Sequence, residues 1–398
     1  MSLLPVDHAV GKLLAGVEPL ASEEVALSDA VGRVLAKDLQ ALRTQPPFAA
    51  SAMDGYAVRS AEAQAGAQLK VIGMSRAGER FSGALGRSET VRIFTGAPVP
   101  DGADSILLQE DAERSGDTIL VKETVTAGRH VRAAGLDFRS GDFYLSAGRV
   151  LDPHALSLAA SLGYAAVPAR RKPRVAVLAN GDELVPPGVT PGPDQIVSSN
   201  GIGLVALVRG AGGDPIDLGI AADRLETIAD SIDQAAGADI LVVTGGASVG
   251  EHDLVQEALK SKGMVLEFWR VAMRPGKPLM VGQLGATRVL GLPGNPVSTF
   301  VCAELFLRPL IRAMLGLPTT PDVITAKLGA PMPANDSRED YVRARLSVEG
   351  EGLTATPFPI QDSSMLSTLA AADALIIRSM RAPAAAAGEP VRILRLPR

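Results

Sequence analysis

Ile240-Leu241-Val242-Val243 runs directly into Thr244-Gly245-Gly246-Ala247-Ser248-Val249-Gly250, and the reading of this stretch decides the fold. An unbroken apolar run reads as a buried strand, and the glycines end it. The pattern recurs. Val175-Ala176-Val177-Leu178 breaks into Asn180-Gly181-Asp182-Glu183, and two more Gly/Pro turns follow, Arg274-Pro275-Gly276-Lys277-Pro278 and Gly291-Leu292-Pro293-Gly294-Asn295-Pro296. Helical stretches fall between the runs, over 203–208, 225–236 and 255–260, and a longer helix over 297–314 closes the segment, bent near Pro309. Buried strands alternating with helices give a parallel sheet, which holds ligands in the crevice beyond the carboxyl ends of its strands. The four turns are expected to face one crevice.

Composition sets the bounds around this segment. A chain of 398 residues exceeds one ordinary core. Aromatic residues are only 4%, so Ala, Val, Leu and Ile must do the packing. Lys+Arg 39 against Asp+Glu 44 leaves −5, which argues against a nucleic-acid partner. The single cysteine, Cys302, excludes an intramolecular disulfide and a Cys-rich zinc site. His8, His130, His154 and His252 are scattered, with no His-Glu-x-x-His pair and no Gly-x-Ser-x-Gly elbow, so hydrolase and zinc chemistry lose ground. No secretory segment and no charge-free spanning stretch is seen; a soluble, cytoplasmic chain without a membrane partner is expected.

Four parts are expected. Residues 1–45 together with 140–169 read as a helical dimerisation unit. Val6, Val10, Leu13, Leu14 and Val17 recur at helical spacing, Ser28-Asp29 offers an N-cap for a helix through Val31, Val34 and Leu35, and Asp152-Pro153 starts another. Residues 46–139, rich in Gly turns and short β-like runs, read as an inserted β-rich domain. Residues 170–317 form the central three-layer αβα domain with its mostly parallel sheet. Residues 318–398 alternate again and fit a small β barrel. The fold class is thus multidomain α/β plus β, with an N-terminal helical segment.

The turns carry the chemistry. Gly245 and Gly246 let backbone N–H groups approach a phosphate, and Ser248 can donate a further hydrogen bond; the plain alternative is a tight strand-to-helix turn. Glu183 and Asp253 are carboxylates at strand ends, able to hold Mg²⁺ through a few oxygens. Asp182, Asp223 and Asp253 could equally be helix caps or solvated charges. Arg270, Arg274 and Lys277 form a cationic cluster suited to an oxyanion; a solvated loop is the alternative. Pro293 and Pro296 stiffen a preformed wall, or simply a helix-entry turn.

Read together, Gly181-Asp182-Glu183-Leu184, Thr244-Gly245-Gly246-Ala247-Ser248-Val249-Gly250, Pro275-Gly276-Lys277-Pro278 and Gly291-Leu292-Pro293-Gly294-Asn295-Pro296 resemble the molybdopterin molybdenumtransferase family, which includes the C-terminal region of gephyrin. Ser51-Ala52-Met53-Asp54-Gly55-Tyr56-Ala57-Val58 extends the resemblance over nearly the whole chain. It implies a Mg²⁺-dependent transferase that takes adenylylated molybdopterin and molybdate, inserts the metal and releases AMP, with the molybdopterin adenylyltransferase as a partner. It implies a homodimer in which Asp54, Thr95 and Asp137 face the α/β crevice of the second subunit. Asp54, Glu183, Asp253 and Lys277 would be catalytic. Thr95, Asp137, Asp182, Asp223, Gly245, Gly246, Ser248, Arg274, Pro293 and Pro296 would bind substrate, and Glu183 and Asp253 would bind metal. Two departures are visible: Ala49-Ala50 stands where relatives carry Asp-Asn, and Ala179-Asn180 where Ser-Thr is usual. The alternative is a non-catalytic molybdopterin-binding or scaffold protein on the same fold. An adenylylating relative would need neither the inserted domain nor the barrel.

Overall fold

Asp214–Ala221, Arg174–Asn180, Ile240–Thr244, Thr287–Leu292, Pro278–Leu284 and Val265–Arg270 lie side by side in that order in one six-stranded sheet. The first four run parallel, Pro278–Leu284 turns back against them, and Val265–Arg270 lies antiparallel to Pro278–Leu284 at the edge. This is the architecture of the computed structural model, which describes residues 3–245, 254–349 and 352–397. Ile240–Thr244 is buried along its whole length, as its unbroken apolar run demands. Helix Leu225–Gln234 turns Ile228 and Ile232 onto the sheet, where they pack with Leu241, Val243 and Leu259. Each of these two side chains contributes about 1.5–3 kcal/mol by leaving water.

The bend expected near Pro309 is a wide turn of π-helix. Pro296–Cys302 is α-helical, Ala303–Leu307 is π, and Arg308–Met314 is α again. Pro309 has no N–H to donate one turn back, and the wider turn accommodates the missing bond.

The chain divides into two compact units, residues 1–23 with 170–398, and residues 24–169. The first 23 residues thus go with the α/β region. Helix Val6–Leu14 buries Ala9 and Leu13, and Leu4 exchanges hydrogen bonds with the backbone of Arg270 and Ala272. In the same unit Glu339–Glu349, Gly352–Pro357, Val323–Leu328, Pro390–Arg395 and Ala374–Arg378 pair in that order, and the last returns to the first. This closes a five-stranded barrel. Its interior is narrow, which suits the small buried residues Ala326, Ala344, Ala355 and Ala374. Met273–Arg274 pairs with the start of Glu339–Glu349, setting Arg274 opposite Asp340.

The unit 24–169 holds a second six-stranded sheet, ordered Ser105–Leu108, Gly55–Val58, Glu89–Ile93, Gln68–Ser75, Thr118–Val121 and Ala112–Ser115. A further core gathers Val25, Leu35, Leu39, Phe138, Leu151, Ala155 and Leu162. Helix Pro153–Leu162 starts as expected: Asp152 accepts from the Ala155 N–H at 2.7 Å, and Gly163 ends the helix at φ 109°. The helix expected through Val31, Val34 and Leu35 does not form. Only a 3-10 turn, Leu27–Asp29, is present. Gly32 takes φ 74°, which ends any helix there, and Val34 and Leu35 instead make β-bridges to Val150 and Ala169. Among the described residues no helix is long and apolar enough to cross a membrane.

Candidate functional site

Register decides where the turns emerge. Ala179 stands opposite Thr244, Thr244 opposite Leu292, and Asn180 opposite Ala221. Gly181, Gly245, Pro293 and the residues after Ala221 therefore leave the sheet side by side at one edge. Met280 pairs with Gly291, so the Arg274–Lys277 turn that precedes Pro278 reaches the same edge. At Gly245 only glycine serves: φ is 87°, and a Cβ would fall 2.2 Å from the Asn180 carbonyl oxygen. A Cβ on Gly294 would sit 3.8 Å from the Gly245 Cα, so these two turns touch. Gly246, Ser248 and Asp253 lie outside the described residues.

Asp182 and Asp223 tie two of the loops together. The Asp223 N–H donates to Asp182 at 3.0 Å, and the Asp182 N–H donates to Asp223 at 3.4 Å. Asn180 donates its side-chain amide to the same Asp223 carboxylate. Glu183 is left exposed on the wall of a cleft of about 320 Å³, with Asn180, Asn200, Gly245, Asn295 and Pro296 around it. The Pro293–Pro296 turn is held from behind, where Thr299 donates its hydroxyl to the Pro293 carbonyl at 2.5 Å and Asn200 donates to that of Gly294 at 2.7 Å. Asn180 and Asn200 escape the sequence reading as site residues. Ser198-Ser199-Asn200, a polar triplet at a helix start, was the available signal.

The cationic turn lines a second cleft of about 810 Å³, with Ser298, Tyr341, Asp362 and Ser363. The two clefts adjoin where Asn295 donates to the Ser363 hydroxyl at 2.8 Å. Arg274 reaches into the barrel, donating to Asp340, to Asp336 at 3.3 Å and to Asn335 at 3.3 Å. The Asp340 bond lifts the Arg274 pKa above its ordinary value, outweighing the opposing effect of burial. Lys277 is exposed, and its ammonium has no partner among the described residues. Arg270 turns elsewhere and stacks on Trp269 at 4.1 Å. Another cleft, of about 850 Å³, lies between Glu304–Arg312 and the barrel, and none of the expected site residues lines it.

In the unit 24–169, Asp54 and Thr95 are brought together. Thr95 donates its N–H and its hydroxyl to one Asp54 oxygen, each at 2.8 Å. These bonds, with the nearby Arg92 guanidinium, hold the Asp54 carboxyl below the usual range. Gly55 is compulsory in this turn, since a Cβ would meet the Leu107 carbonyl oxygen at 1.9 Å. Asp137 sits exposed in its own turn, its carbonyl accepting from the Tyr144 hydroxyl at 3.2 Å. Among the described residues no hydrogen bond joins it to Asp54 or Thr95.

Residues 4–163 match the MoeA N-terminal region (domain I and II), 176–313 a probable molybdopterin binding domain, and 325–396 the MoeA C-terminal region (domain IV). The chain is 37% identical over 342 residues to molybdopterin molybdenumtransferase 2 of Mycobacterium tuberculosis, covering 82% of this chain and 84% of that protein. It is 34% identical over 386 residues to the molybdopterin molybdenumtransferase of Bacillus subtilis, covering 94% and 90%. A crystal structure of the molybdopterin biosynthesis moeA protein from Pyrococcus horikoshii overlays with a TM-score of 0.81 at 28% identity, covering 99% of this chain and all of that one. With matched regions along nearly its whole length and relatives this similar, the chain belongs to the molybdopterin molybdenumtransferase family.

Proposed function

We propose that this chain transfers molybdenum from molybdate to adenylylated molybdopterin and releases AMP. The observation that supports this most is the common edge where the Gly181–Glu183, Gly245, Lys277 and Pro293–Pro296 turns leave one sheet. Lys277 draws the oxyanion, because among the described residues no carboxylate pairs with its ammonium. Arg274 contributes less, since Asp336 and Asp340 share its charge. Phosphate oxygens meet the backbone of the turn that begins at Gly245.

Mg²⁺ fits this reading. Glu183 is an exposed cleft carboxylate without an ion-pair partner among the described residues, and the ion needs only one or two carboxylates beside phosphate oxygens and waters. Glu183 and Asp253 would hold it, and when bound it neutralises charge on the phosphates. Asp54, kept ionised by Thr95, orients the substrate from a second copy of the chain in a homodimer, with Asp137 nearby. The adenylylated substrate is made beforehand by the molybdopterin adenylyltransferase, in the cytoplasm.

The test is to incubate the purified chain with adenylylated molybdopterin, molybdate and Mg²⁺. AMP and molybdenum-loaded pterin are expected in equal amounts. A folded protein that yields neither overturns the reading.

A further inference from the structure

We propose that Arg92 is a positioning residue for molybdenum transfer: its guanidinium clamps the Asp54–Gly55 turn to the strand ends on either side and so sets where Asp54 stands. This rests on the reading that Asp54 orients the substrate.

Arg92 lies on Glu89–Ile93, opposite Tyr56 of the neighbouring strand Gly55–Val58. Its guanidinium crosses that neighbour. Nη1 donates to the Gly55 carbonyl at 3.0 Å, and Nη2 donates to the Gln109 side-chain oxygen at 2.6 Å. Gln109 follows Ser105–Leu108, the strand on the far flank of Gly55–Val58, and its own N–H donates to the Asp54 carbonyl at 3.3 Å. One side chain thus ties three adjacent strand ends together at the residue after Asp54. Gly55 cannot carry a side chain to wedge the turn from behind, since a Cβ would meet the Leu107 carbonyl oxygen at 1.9 Å. Arg92 supplies the hold through the Gly55 carbonyl instead. Thr95 fixes the carboxylate, and Arg92 fixes the backbone that carries it.

The clamp is itself held. The guanidinium carbon lies 5.0 Å from the Tyr56 ring centre and 4.9 Å from that of Phe94, within cation–π range of both. Both hydrogen-bond acceptors are neutral, so these bonds do not cancel its charge. The two Thr95 bonds do most to lower the Asp54 pKa, burial opposes them, and Arg92 is the one charged group among the described residues that lowers it further. Glu110 stands on the other side of the clamp, accepting from the Gln109 amide at 3.3 Å. A planar fork with fixed donor directions serves two acceptors at once; a lysine keeps the charge without the fork. Place and charge are therefore separable by substitution.

Three variants of the intact protein test this. Arg92→Met keeps an unbranched stem between the rings and removes the charge and both donors. Arg92→Lys restores the charge alone. Gln109→Leu cuts only the far tether, at an exposed residue. The readouts are kcat and KM for molybdenum transfer and the Asp54 carboxyl titration by carbon-detected NMR. Arg92→Met is expected to lower kcat about 10- to 100-fold with KM nearly unchanged, and to raise the Asp54 pKa. Arg92→Lys should return the pKa to the parent value and recover kcat only in part. Gln109→Leu should leave the pKa low and reduce kcat by a smaller factor. Parental kcat in folded Arg92→Met overturns the proposal. So does an equal loss in Met and Lys variants with the Asp54 pKa unmoved in both, which is the mark of a merely structural arginine. Where Arg92→Met does not fold, parental kcat in both Arg92→Lys and Gln109→Leu overturns it. Transfer lost in Asp54→Asn but intact in Arg92→Met sinks only this inference, whereas full transfer in Asp54→Asn sinks the role of Asp54 on which it rests.

Discussion

Thr95 fixes Asp54 with two hydrogen bonds to a single carboxylate oxygen, one from its backbone and one from its hydroxyl. A turn-borne, partly exposed acid is thereby held in one place with its pKa lowered. Thr95→Val removes the hydroxyl bond and leaves the backbone bond. The Asp54 pKa should therefore rise part of the way toward the ordinary carboxylate value, and Thr95→Ser should leave it low. Carbon-detected NMR titration of the Asp54 carboxyl checks this. Equal values in all three proteins would show that the hydroxyl bond is idle.

Asp54→Asn keeps the shape of the turn and removes the charge. If Asp54 orients substrate as proposed, turnover of adenylylated molybdopterin should be abolished while the thermal midpoint stays close to that of the parent chain. Full activity in the variant would remove Asp54 from the site.

Arg274 and Lys277 lie three residues apart and should separate cleanly. Asp340 is nearly buried and relies on Arg274, so Arg274→Ala leaves an unpaired acid against the barrel. A loss of about 1–3 kcal/mol in urea-unfolding stability is expected. Lys277→Ala removes no partner among the described residues; it should leave stability unchanged and raise the molybdate concentration needed for half-maximal transfer. The reverse pattern would reverse the roles assigned to the two cations.

Asp239 supplies a pH dependence with a definite sign. Burial pushes its pKa up, but the paired Arg171 guanidinium, at 2.9 and 2.8 Å, and the Arg174 N–H at 2.7 Å outweigh this and hold it below the ordinary value. A depressed carboxylate stabilises the folded chain above its unfolded pKa of about 4 and loses that contribution as pH falls through the lower folded value. Asp239→Asn should therefore cost about 1.5–3 kcal/mol at neutral pH. Against the parent chain the gap should close as the solution is acidified below pH of about 4. Urea titrations across that range read it directly, and a gap independent of pH would assign the stabilisation to packing.

The sheet edge is legible in short words of sequence, because an apolar run ending in glycine states its own beginning and end. Gly245 and Pro293 could be placed together from Ile240–Thr244 and Thr287–Leu292 once both were taken as parallel neighbours. Arg274 could not be read this way. Its partners Asn335, Asp336 and Asp340 stand 61, 62 and 66 positions further on, in the barrel, and no local pattern announces such a pairing. Asn180 and Asn200 were hidden for a different reason. Each resembles an ordinary turn or cap residue until its amide bonds are traced. The failed helix through Val34 and Leu35 shows that apolar spacing yields to one glycine in a left-handed conformation.

Gly276 joins the cationic turn to the closing helix, and it offers the sharpest packing test. Its φ is 104°, and a Cβ there would fall 2.5 Å from the Cys302 sulfur and 3.0 Å from the Met273 methyl. Cys302 is fully buried, its thiol pKa pushed up by desolvation, and its Sγ already lies 3.7 Å from the Gly276 carbonyl. Gly276→Ala thus combines backbone strain with overpacking, and a destabilisation of about 2–4 kcal/mol is expected. Cys302→Ala in the same chain removes the sulfur and makes room for the methyl, while the strain at φ 104° stays. The double variant should therefore recover about 1 kcal/mol or more relative to the sum of the singles, but not reach the parent. Strict additivity would show that the two residues do not oppose each other, and that strain alone makes glycine necessary beside Lys277.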